Sequence, residues 1–337
     1  MRQPPELSEN TLIDCLRTHF DLPVVTCRYL PIGYDMNAFV YEALTAEGDS
    51  YFVKVRDGAI PLPSLLVPRL LIEQGISHIL APLRTLAQSL WCSLERYSVI
   101  VYPFIHGENA KLVGLSEDQW REFGATLNAI HSGGFAELLR GQVPEEAFSN
   151  PAVQVVRRLS ARIEEGHFES PAAAELAAFW SERQRLISHL LDRAETLAGH
   201  LQRIPFENVL CHADIHGANI LVSEEGDIHL VDWDGPLLAP RERDLLFVVG
   251  SRIACTVLPH EESWFFEGYG EVEINRTALT YYRYERVIED IGEASKRAFG
   301  EIEASEEVRA EEAEHIRMQF LPGNMLEAAL QADTNLG

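Results

Sequence analysis

The sequence is short of cysteine, of basic residues and of long apolar runs, and each shortage excludes a class of protein. Its five cysteines never form a CxxC pair, so we expect neither a disulfide framework nor a structural zinc site, and we expect a reducing compartment. No stretch reaches the roughly 18 uncharged residues of a membrane-spanning helix. The N-terminal MRQPPELSEN has no apolar core like that of a signal peptide. We therefore expect a cytoplasmic protein.

Basic residues are scarce: 28 Lys and Arg stand against 52 Asp and Glu, which gives a net charge of −24 at pH 7. Binding to nucleic acid or to an anionic membrane surface requires a surplus of Lys and Arg, so neither is expected as a partner. The acidic excess suits a small cationic ligand, although an acidic surface more often serves solubility. We expect a monomer or a weak dimer.

Length and the spacing of apolar residues predict an α+β protein with two lobes. With 337 residues, 46% of them hydrophobic, the chain is longer than one usual domain. Three β-rich runs, VVTCRYL (24–30), AFVYEAL (38–44) and SYFVKV (50–55), are separated by turn-forming Gly, Asp and Asn. This pattern favours an antiparallel sheet, to which LWCSLERYSVIVY (90–102) adds two strands.

Helical spacing is found at 8–20 and 64–74 and dominates after the connector YPFIHGEN (102–109). Ser116 opens one predicted helix, and Ser170-Pro171 starts another that should run to about residue 202. Short strands return between 209 and 234. We therefore predict a small antiparallel-sheet lobe (1–102), a hinge (103–108) and a larger, mostly helical lobe (109–337).

The residues suited to chemistry lie between 209 and 236. His212-x-Asp214 is followed by Asn219 and, at the end of an apolar strand, by Asp232. Phosphoryl transfer from a nucleotide needs a carboxylate that orients or deprotonates the attacking hydroxyl, and oxygen ligands for Mg²⁺. Asn219 and Asp232 flank a predicted β-hairpin, so both side chains can reach one ion while Asp214 stays on the preceding loop.

A second chemical feature lies in the predicted sheet. Lys54 interrupts the apolar strand YFVKV, and the turn from Ile32 to Asn37 has one glycine, Gly33. Taken alone, Lys54 is more simply explained as a surface lysine whose stem packs on the sheet. A nucleotide-dependent kinase is favoured instead by the joint order of these features along the chain. That order is strand, turn, strand, lysine strand, connector, HxDxxxxN, hairpin and aspartate.

Two other interpretations of this segment are weaker. His212, Asp214 and His216 form HxDxH, a cluster able to bind zinc, but a zinc hydrolase leaves Asn219 and the first lobe unexplained. Cys211 beside His212 suggests a nucleophile with its base. Adjacent strand residues point to opposite faces, so we expect Cys211 to be a core residue.

The motifs HADIHGAN (212–219) and VDWD (231–234) resemble those of the aminoglycoside phosphotransferase family. That resemblance covers nearly the whole chain and implies a bilobal protein-kinase-like fold. The stretches YPFIHG, DWDGPLLAPRERDLLF, FFEGYGE and YYRYERVIEDI are most similar to spectinomycin 9-phosphotransferase. The resemblance implies transfer of the γ-phosphate of ATP to the 9-hydroxyl of this cationic aminocyclitol, which inactivates the antibiotic.

The resemblance also assigns roles to individual positions. It makes Asp214 the catalytic base, Asn219 and Asp232 the Mg²⁺ ligands, and Lys54 the contact to the α- and β-phosphates. The remaining predicted ATP contacts are the turn residues Gly33 and Asn37 and the hinge residues Tyr102, Phe104 and Ile105. His212 and Asp244 are expected to support the catalytic loop. The predicted acceptor contacts are His216, Asp234, Glu285 and Glu289.

One departure from the family pattern concerns the partner of Lys54. Kinase-like folds pair this lysine with a helix glutamate, but residues 60–72 hold no acidic residue and contain three prolines that disfavour a long regular helix. Either Glu73 reaches Lys54 after a rearrangement, or the nucleotide alone positions the lysine.

The acceptor also stays open at this point. Choline, homoserine, sugar and macrolide kinases share the catalytic core, since specificity resides in the helical lobe. A nucleotide-binding pseudokinase would normally have lost Asp214, Asn219 or Asp232, and all three are present.

Overall fold

A computed structural model describes residues 5–32 and 37–336, which form two compact units. The first holds residues 1–133 and 214–236, and the second holds residues 134–213 and 237–337. The predicted Asp214, Asn219, Asp232 and Lys54 all belong to the first unit. The division into lobes at 102 and 109 stays a prediction.

The strands are β1 (Val24–Leu30), β2 (Ala38–Thr45), β3 (Ser50–Asp57), β4 (Cys92–Leu94), β5 (Tyr97–Pro103), β6 (Gly107–Asn109), β7 (Val209–Cys211), β8 (Ile220–Ser223), β9 (Ile228–Leu230) and β10 (Leu237–Ala239). The helices are α1 (Glu9–Phe20), α2 (Pro63–Glu73), α3 (Ala110–Val113), α4 (Glu117–Ser132), α5 (Phe135–Leu139), α6 (Pro151–Glu165), α7 (Pro171–Leu201), α8 (Glu242–Leu245), α9 (Pro259–Tyr269), α10 (Arg276–Ala298), α11 (Glu306–Gln319) and α12 (Met325–Thr334).

The first unit is built on a five-stranded antiparallel sheet with the order β1-β2-β3-β5-β4. Val53 and Val55 of β3 are fully buried and pack in the same core as Leu12 and Leu16 of α1. Because side chains alternate along a strand, Lys54 between those valines lies on the opposite face. The predicted antiparallel sheet and the α+β fold class are confirmed.

Helix α2 forms although it contains Pro68. Pro63 stands in the first turn, where a missing N–H costs nothing, and Leu65, Val67 and Leu71 are buried. Burial of this apolar face offsets the hydrogen bond that an interior proline removes.

A second sheet in the first unit joins β6, β8 and β9. β8 and β9 form an antiparallel hairpin in which Ile220 faces Leu230. Leu230 also exchanges backbone hydrogen bonds with the segment before β4, since its N–H donates to His78 O and its carbonyl accepts from Leu80 N. The hairpin is thereby fixed at the end where the predicted metal ligands lie.

The second unit is mostly helical, with α10 packed against α6, α7, α11 and α12. Tyr281, Tyr282 and Tyr284 of α10 are buried, as the packing interpretation of these aromatic residues predicts. β7 and β10 pair antiparallel in this unit. Among the described residues, no helix is both long and apolar enough to cross a membrane.

Candidate active site

The loop that carries Asp214 begins at the end of β7 and is held by Asp244. The Asp244 carboxylate accepts hydrogen bonds from His212 N (2.9 Å) and Ala213 N (2.7 Å), and its side chain is fully buried. Ala213 has a φ of 71°, a left-handed conformation that costs a non-glycine residue on the order of 1 kcal/mol or more. Two charge-assisted bonds offset this cost and fix the direction in which the chain leaves β7.

Asp214 is presented by a tight turn that ends in a short 3₁₀ helix, Gly217–Asn219. Asn219 Nδ2 donates to the Asp214 carbonyl (2.8 Å) and lies 3.3 Å from its Oδ2. His216 Nδ1 accepts from Ala218 N (3.2 Å), which directs the Nε2 proton of a neutral imidazole toward Asp214 Oδ1, 3.5 Å away. The Asp214 side chain is 45% exposed, so its carboxylate is both oriented and accessible.

The β8–β9 hairpin places Asn219, just before β8, and Asp232, just after β9, at its open end. Asn219 directly precedes β8, and its carbonyl accepts from Val231 N (3.0 Å), the residue before Asp232. Asp232 has a φ of 63°, which turns the chain sharply after β9. Asn219 is therefore hydrogen-bonded to Asp214 on one side and to the residue before Asp232 on the other.

Lys54 pairs with Asp234. Its Nζ lies 3.4 Å and 3.3 Å from Asp234 Oδ1 and Oδ2, and the two side chains are 19% and 51% exposed. Glu73 instead contacts Arg69 Nε (2.8 Å) and Arg84 Nη2 (2.8 Å), and these hydrogen bonds lower its pKa. The sequence analysis expected Lys54 to be positioned either by Glu73 or by the nucleotide alone. Neither expectation included Asp234, two residues beyond Asp232.

The predicted hinge follows β5. Tyr102 lies opposite Phe52 of β3, and burial raises the pKa of the Tyr102 hydroxyl, with further contributions from the charges of Asp234 and Asp232. Phe104 N donates to Ser50 O (3.2 Å), so the start of the connector is tied to β3. The predicted adenine contacts of Tyr102, Phe104 and Ile105 stay predictions.

The predicted turn residues before β2 are only partly described. Asn37 accepts a hydrogen bond from Asp57 N (2.7 Å) through its backbone carbonyl, which ties the start of β2 to the end of β3. Gly33 lies outside the described residues.

In the second unit, Glu285 and Glu289 share a buried arginine. Arg243 forms ion pairs with Glu285 and, at 3.7 Å, with Glu289 Oε2. The Tyr281 hydroxyl donates to Glu285 Oε1 (2.7 Å). Burial raises the pKa of Glu285 to about 7, while the charge of Arg243 acts in the opposite direction. The predicted acceptor contacts of both glutamates stay predictions, and their present partner is Arg243.

The rival interpretations find little support in this geometry. Cys211 is fully buried, which raises its pKa, so the prediction of a core thiol is confirmed. Within residues 5–32 and 37–336, His212, Asp214 and His216 do not bring three ligand atoms to one point.

Residues 29–277 match the Phosphotransferase enzyme family. The chain belongs to this family. A crystal structure of spectinomycin phosphotransferase, APH(9)-Ia, in complex with ADP and spectinomycin is 33% identical in sequence, with a TM-score of 0.87. The similarity covers 97% of this chain and 99% of that one. The predicted family and kinase-like fold are thereby confirmed.

Two further relatives are more distant. Protein StrN of Streptomyces griseus is 26% identical over 239 residues, or 68% of this chain and 71% of its own length. The amicoumacin kinase hAmiN, in complex with AMP-PNP, Ca²⁺ and Ami, is 16% identical, with a TM-score of 0.60 over 96% of this chain and 97% of that one. This last likeness concerns the fold alone.

The side chains at the hairpin end fit a magnesium ion. Asp232 supplies a carboxylate, and the Asn219 amide nitrogen is bonded to Asp214, so a cation would bind through the Asn219 amide oxygen. Carboxylate and amide oxygens are the ligands that Mg²⁺ prefers, usually with phosphate and water completing the shell. No local sequence signal pointed to the Lys54–Asp234 pair or to the pairing of Arg243 with Glu285.

Proposed function

We propose that this protein transfers the γ-phosphate of ATP to a hydroxyl of spectinomycin or of a closely related aminocyclitol or aminoglycoside. The observation that carries the proposal is the position of Asn219, which links Asp214 to the start of the Asp232 segment. This arrangement supplies, within one unit, the carboxylate and the oxygen donors that phosphoryl transfer requires. The extended similarity to spectinomycin phosphotransferase supports the choice of acceptor.

In this proposal Asp214 orients the attacking hydroxyl and accepts its proton late in the reaction. The Asn219 side chain is hydrogen-bonded to the Asp214 backbone carbonyl, and His216 contacts Asp214 Oδ1. The Asp214 carboxylate therefore meets the acceptor in one orientation. A well-positioned general base contributes roughly 10²–10⁴ in rate, which corresponds to about 3–5 kcal/mol of the barrier. Orientation and fixed charges supply the rest.

Lys54, Asn219 and Asp232 bind the nucleotide in this proposal. Lys54 Nζ contacts the α- and β-phosphates and gives up part or all of its contact with Asp234. This exchange is possible because a half-exposed ion pair is weak. Asn219 and Asp232 would hold Mg²⁺, which would neutralise charge on the phosphate oxygens. The backbone of residues 102–105 contacts the adenine.

The acceptor in this proposal is a cation. A protein with a net charge of −24 attracts protonated amines over long distances, and an aminocyclitol carries such amines next to several hydroxyls. A kinase that acts on choline, homoserine, a sugar or a macrolide would use the same core, so acceptor specificity has to be measured.

The decisive experiment measures phosphate transfer from ATP to a panel of acceptors: spectinomycin, several aminoglycosides, choline, homoserine and a macrolide. We expect spectinomycin to give the highest kcat/KM, with one phosphate added per molecule by mass spectrometry. Preference for another alcohol would reject spectinomycin and retain the kinase. Failure to transfer phosphate to any acceptor while ATP still binds would favour the pseudokinase.

A further inference from the structure

Three metal-binding side chains meet in the first unit, on the α1 side of the sheet and outside the set of residues assigned to phosphoryl transfer. Cys15 Sγ on α1 lies 3.4 Å from Cys92 Sγ on β4. His19 of α1 completes the group, and the three ligand atoms all lie within 4.8 Å of one another. No role in the proposed reaction accounts for two thiols and an imidazole in one place.

The fold explains why these side chains converge. Cys15 and His19 are four residues apart on α1, so both lie on one face of the helix. Cys15 and Cys92 are buried in the core between α1 and the sheet, at 5% and 8% exposure. His19 is exposed, and its carbonyl accepts a hydrogen bond from Leu86 N (2.8 Å). The two sulfur ligands are therefore enclosed by protein, while the imidazole opens the site to solvent.

We propose that Cys15, His19 and Cys92 form a binding site for a thiophilic divalent metal ion such as Zn²⁺ or Cd²⁺. Two thiolates and one imidazole are a common ligand set for zinc, with water in the fourth position. Zinc–sulfur bonds of about 2.3 Å place the sulfurs of a tetrahedral site about 3.8 Å apart. The present Sγ–Sγ distance of 3.4 Å needs only a small rotation of the side chains to reach that value.

Charge balance also favours a divalent ion at this position. Each thiol gives up its proton on binding, and two thiolates neutralise the ion, so no net charge is left in the apolar core. Burial of an uncompensated charge would be costly. Because the ligands come from α1 and β4, the bound ion would join the N-terminal helix to the edge strand of the sheet and stabilise the folded state.

The test is a titration of the fully reduced, full-length protein with Co²⁺ in place of zinc. We expect thiolate-to-cobalt charge-transfer absorption and tetrahedral cobalt bands that saturate at one ion per chain, and we expect Zn²⁺ to displace the cobalt. Cys92→Ser removes one of the two thiolates, so it should weaken both the charge-transfer absorption and the affinity for Co²⁺. Cys27→Ser is the matched control, because Cys27 is buried in the same core cluster but is not a member of the group.

His19→Ala provides a variant that does not disturb the core, since the side chain is exposed. We expect it to bind Co²⁺ more weakly by at least the roughly 10- to 100-fold typical of losing an outer-shell partner. The proposal is overturned if reduced wild-type protein shows no thiolate-to-cobalt band, if Cys92→Ser keeps the band at full intensity, or if His19→Ala binds with unchanged affinity. Phosphate transfer is not part of the readout, so the outcome is independent of the proposed function.

Discussion

Two ion pairs, one in each unit, differ in their exposure to solvent. In the first unit, Lys54 meets Asp234 at 3.3 Å, and the aspartate is half exposed. In the second unit, Arg243 is paired with Glu285 where their side chains are 14% and 6% exposed, and Tyr281 adds a hydrogen bond to the same carboxylate. One pair is open to solvent, whereas the other is part of the packed interior.

Exposure to solvent determines how much each ion pair contributes to the free energy of unfolding. An exposed ion pair contributes about 0–1 kcal/mol, because water and salt screen it. A buried pair contributes little net stability, but removal of one partner leaves a charge without compensation and costs about 3–5 kcal/mol. Substitution of Lys54 should therefore change activity, whereas substitution of Arg243 should change stability.

The largest effect on activity is expected at Asp214. Asp214→Asn keeps the shape of the side chain but removes the negative charge, so kcat should fall by roughly 10²–10⁴ while ATP affinity changes little. Steady-state kinetics and calorimetry measure both quantities. Asp227→Asn is the control, since this exposed residue lies in the turn between β8 and β9. A variant at Asp214 with half of the wild-type turnover would end its assignment as the base.

The largest effect on stability is expected at Arg243. Arg243→Met should lower the free energy of unfolding by about 3 kcal/mol, at the low end for a buried pair because Glu285 can take up a proton. Urea denaturation measures this change. Arg140→Met is the matched control, because Arg140 pairs with Glu137 on the surface at 2.9 Å, and it should cost less than about 1 kcal/mol. Equal losses for the two variants would contradict the comparison.

A smaller effect is expected at Lys54. Lys54→Ala should weaken nucleotide binding roughly 10- to 100-fold, as loss of a charged hydrogen bond does, with little change in stability. Glu73→Gln is the control, since Glu73 contacts Arg69 and Arg84 rather than Lys54. If Glu73→Gln weakened binding as much as Lys54→Ala, then Glu73 would support the lysine after all.

Local sequence patterns predicted most of the fold. The runs that became β1, β2 and β3, the capping box at Ser116 and the helix after Ser170 all depend on residues a few positions apart, and they were located to within two residues. The hairpin that aligns Asn219 with Asp232 was predicted for the same reason. These features require no knowledge of distant contacts.

Pairings between distant residues could not be predicted. Lys54 and Asp234 are 180 positions apart, and Arg243 and Glu285 are 42 apart. Both pairs depend on tertiary packing, which the composition of either segment does not encode. For the same reason Cys15 and Cys92, 77 positions apart, looked like unrelated thiols in the sequence.

The pH dependence of stability provides the smallest and most specific test. Glu285 faces Arg243, Glu289, Glu146 and Tyr281, and burial raises its pKa from 4.5 in the unfolded chain to about 7. A carboxyl with a higher pKa in the folded state binds more protons when folded. Its contribution to stability is thus complete below pH 4.5 and is lost as the pH rises through 7.

Glu285→Gln should remove this contribution, so the difference in unfolding free energy between variant and wild type should change between pH 4.5 and about 7. Chemical denaturation of wild type and Glu285→Gln at several pH values measures this difference. Parallel pH profiles for wild type and Glu285→Gln would contradict this prediction. They would mean that Arg243 keeps Glu285 ionised in the folded state, so that Glu285 takes up no proton on folding.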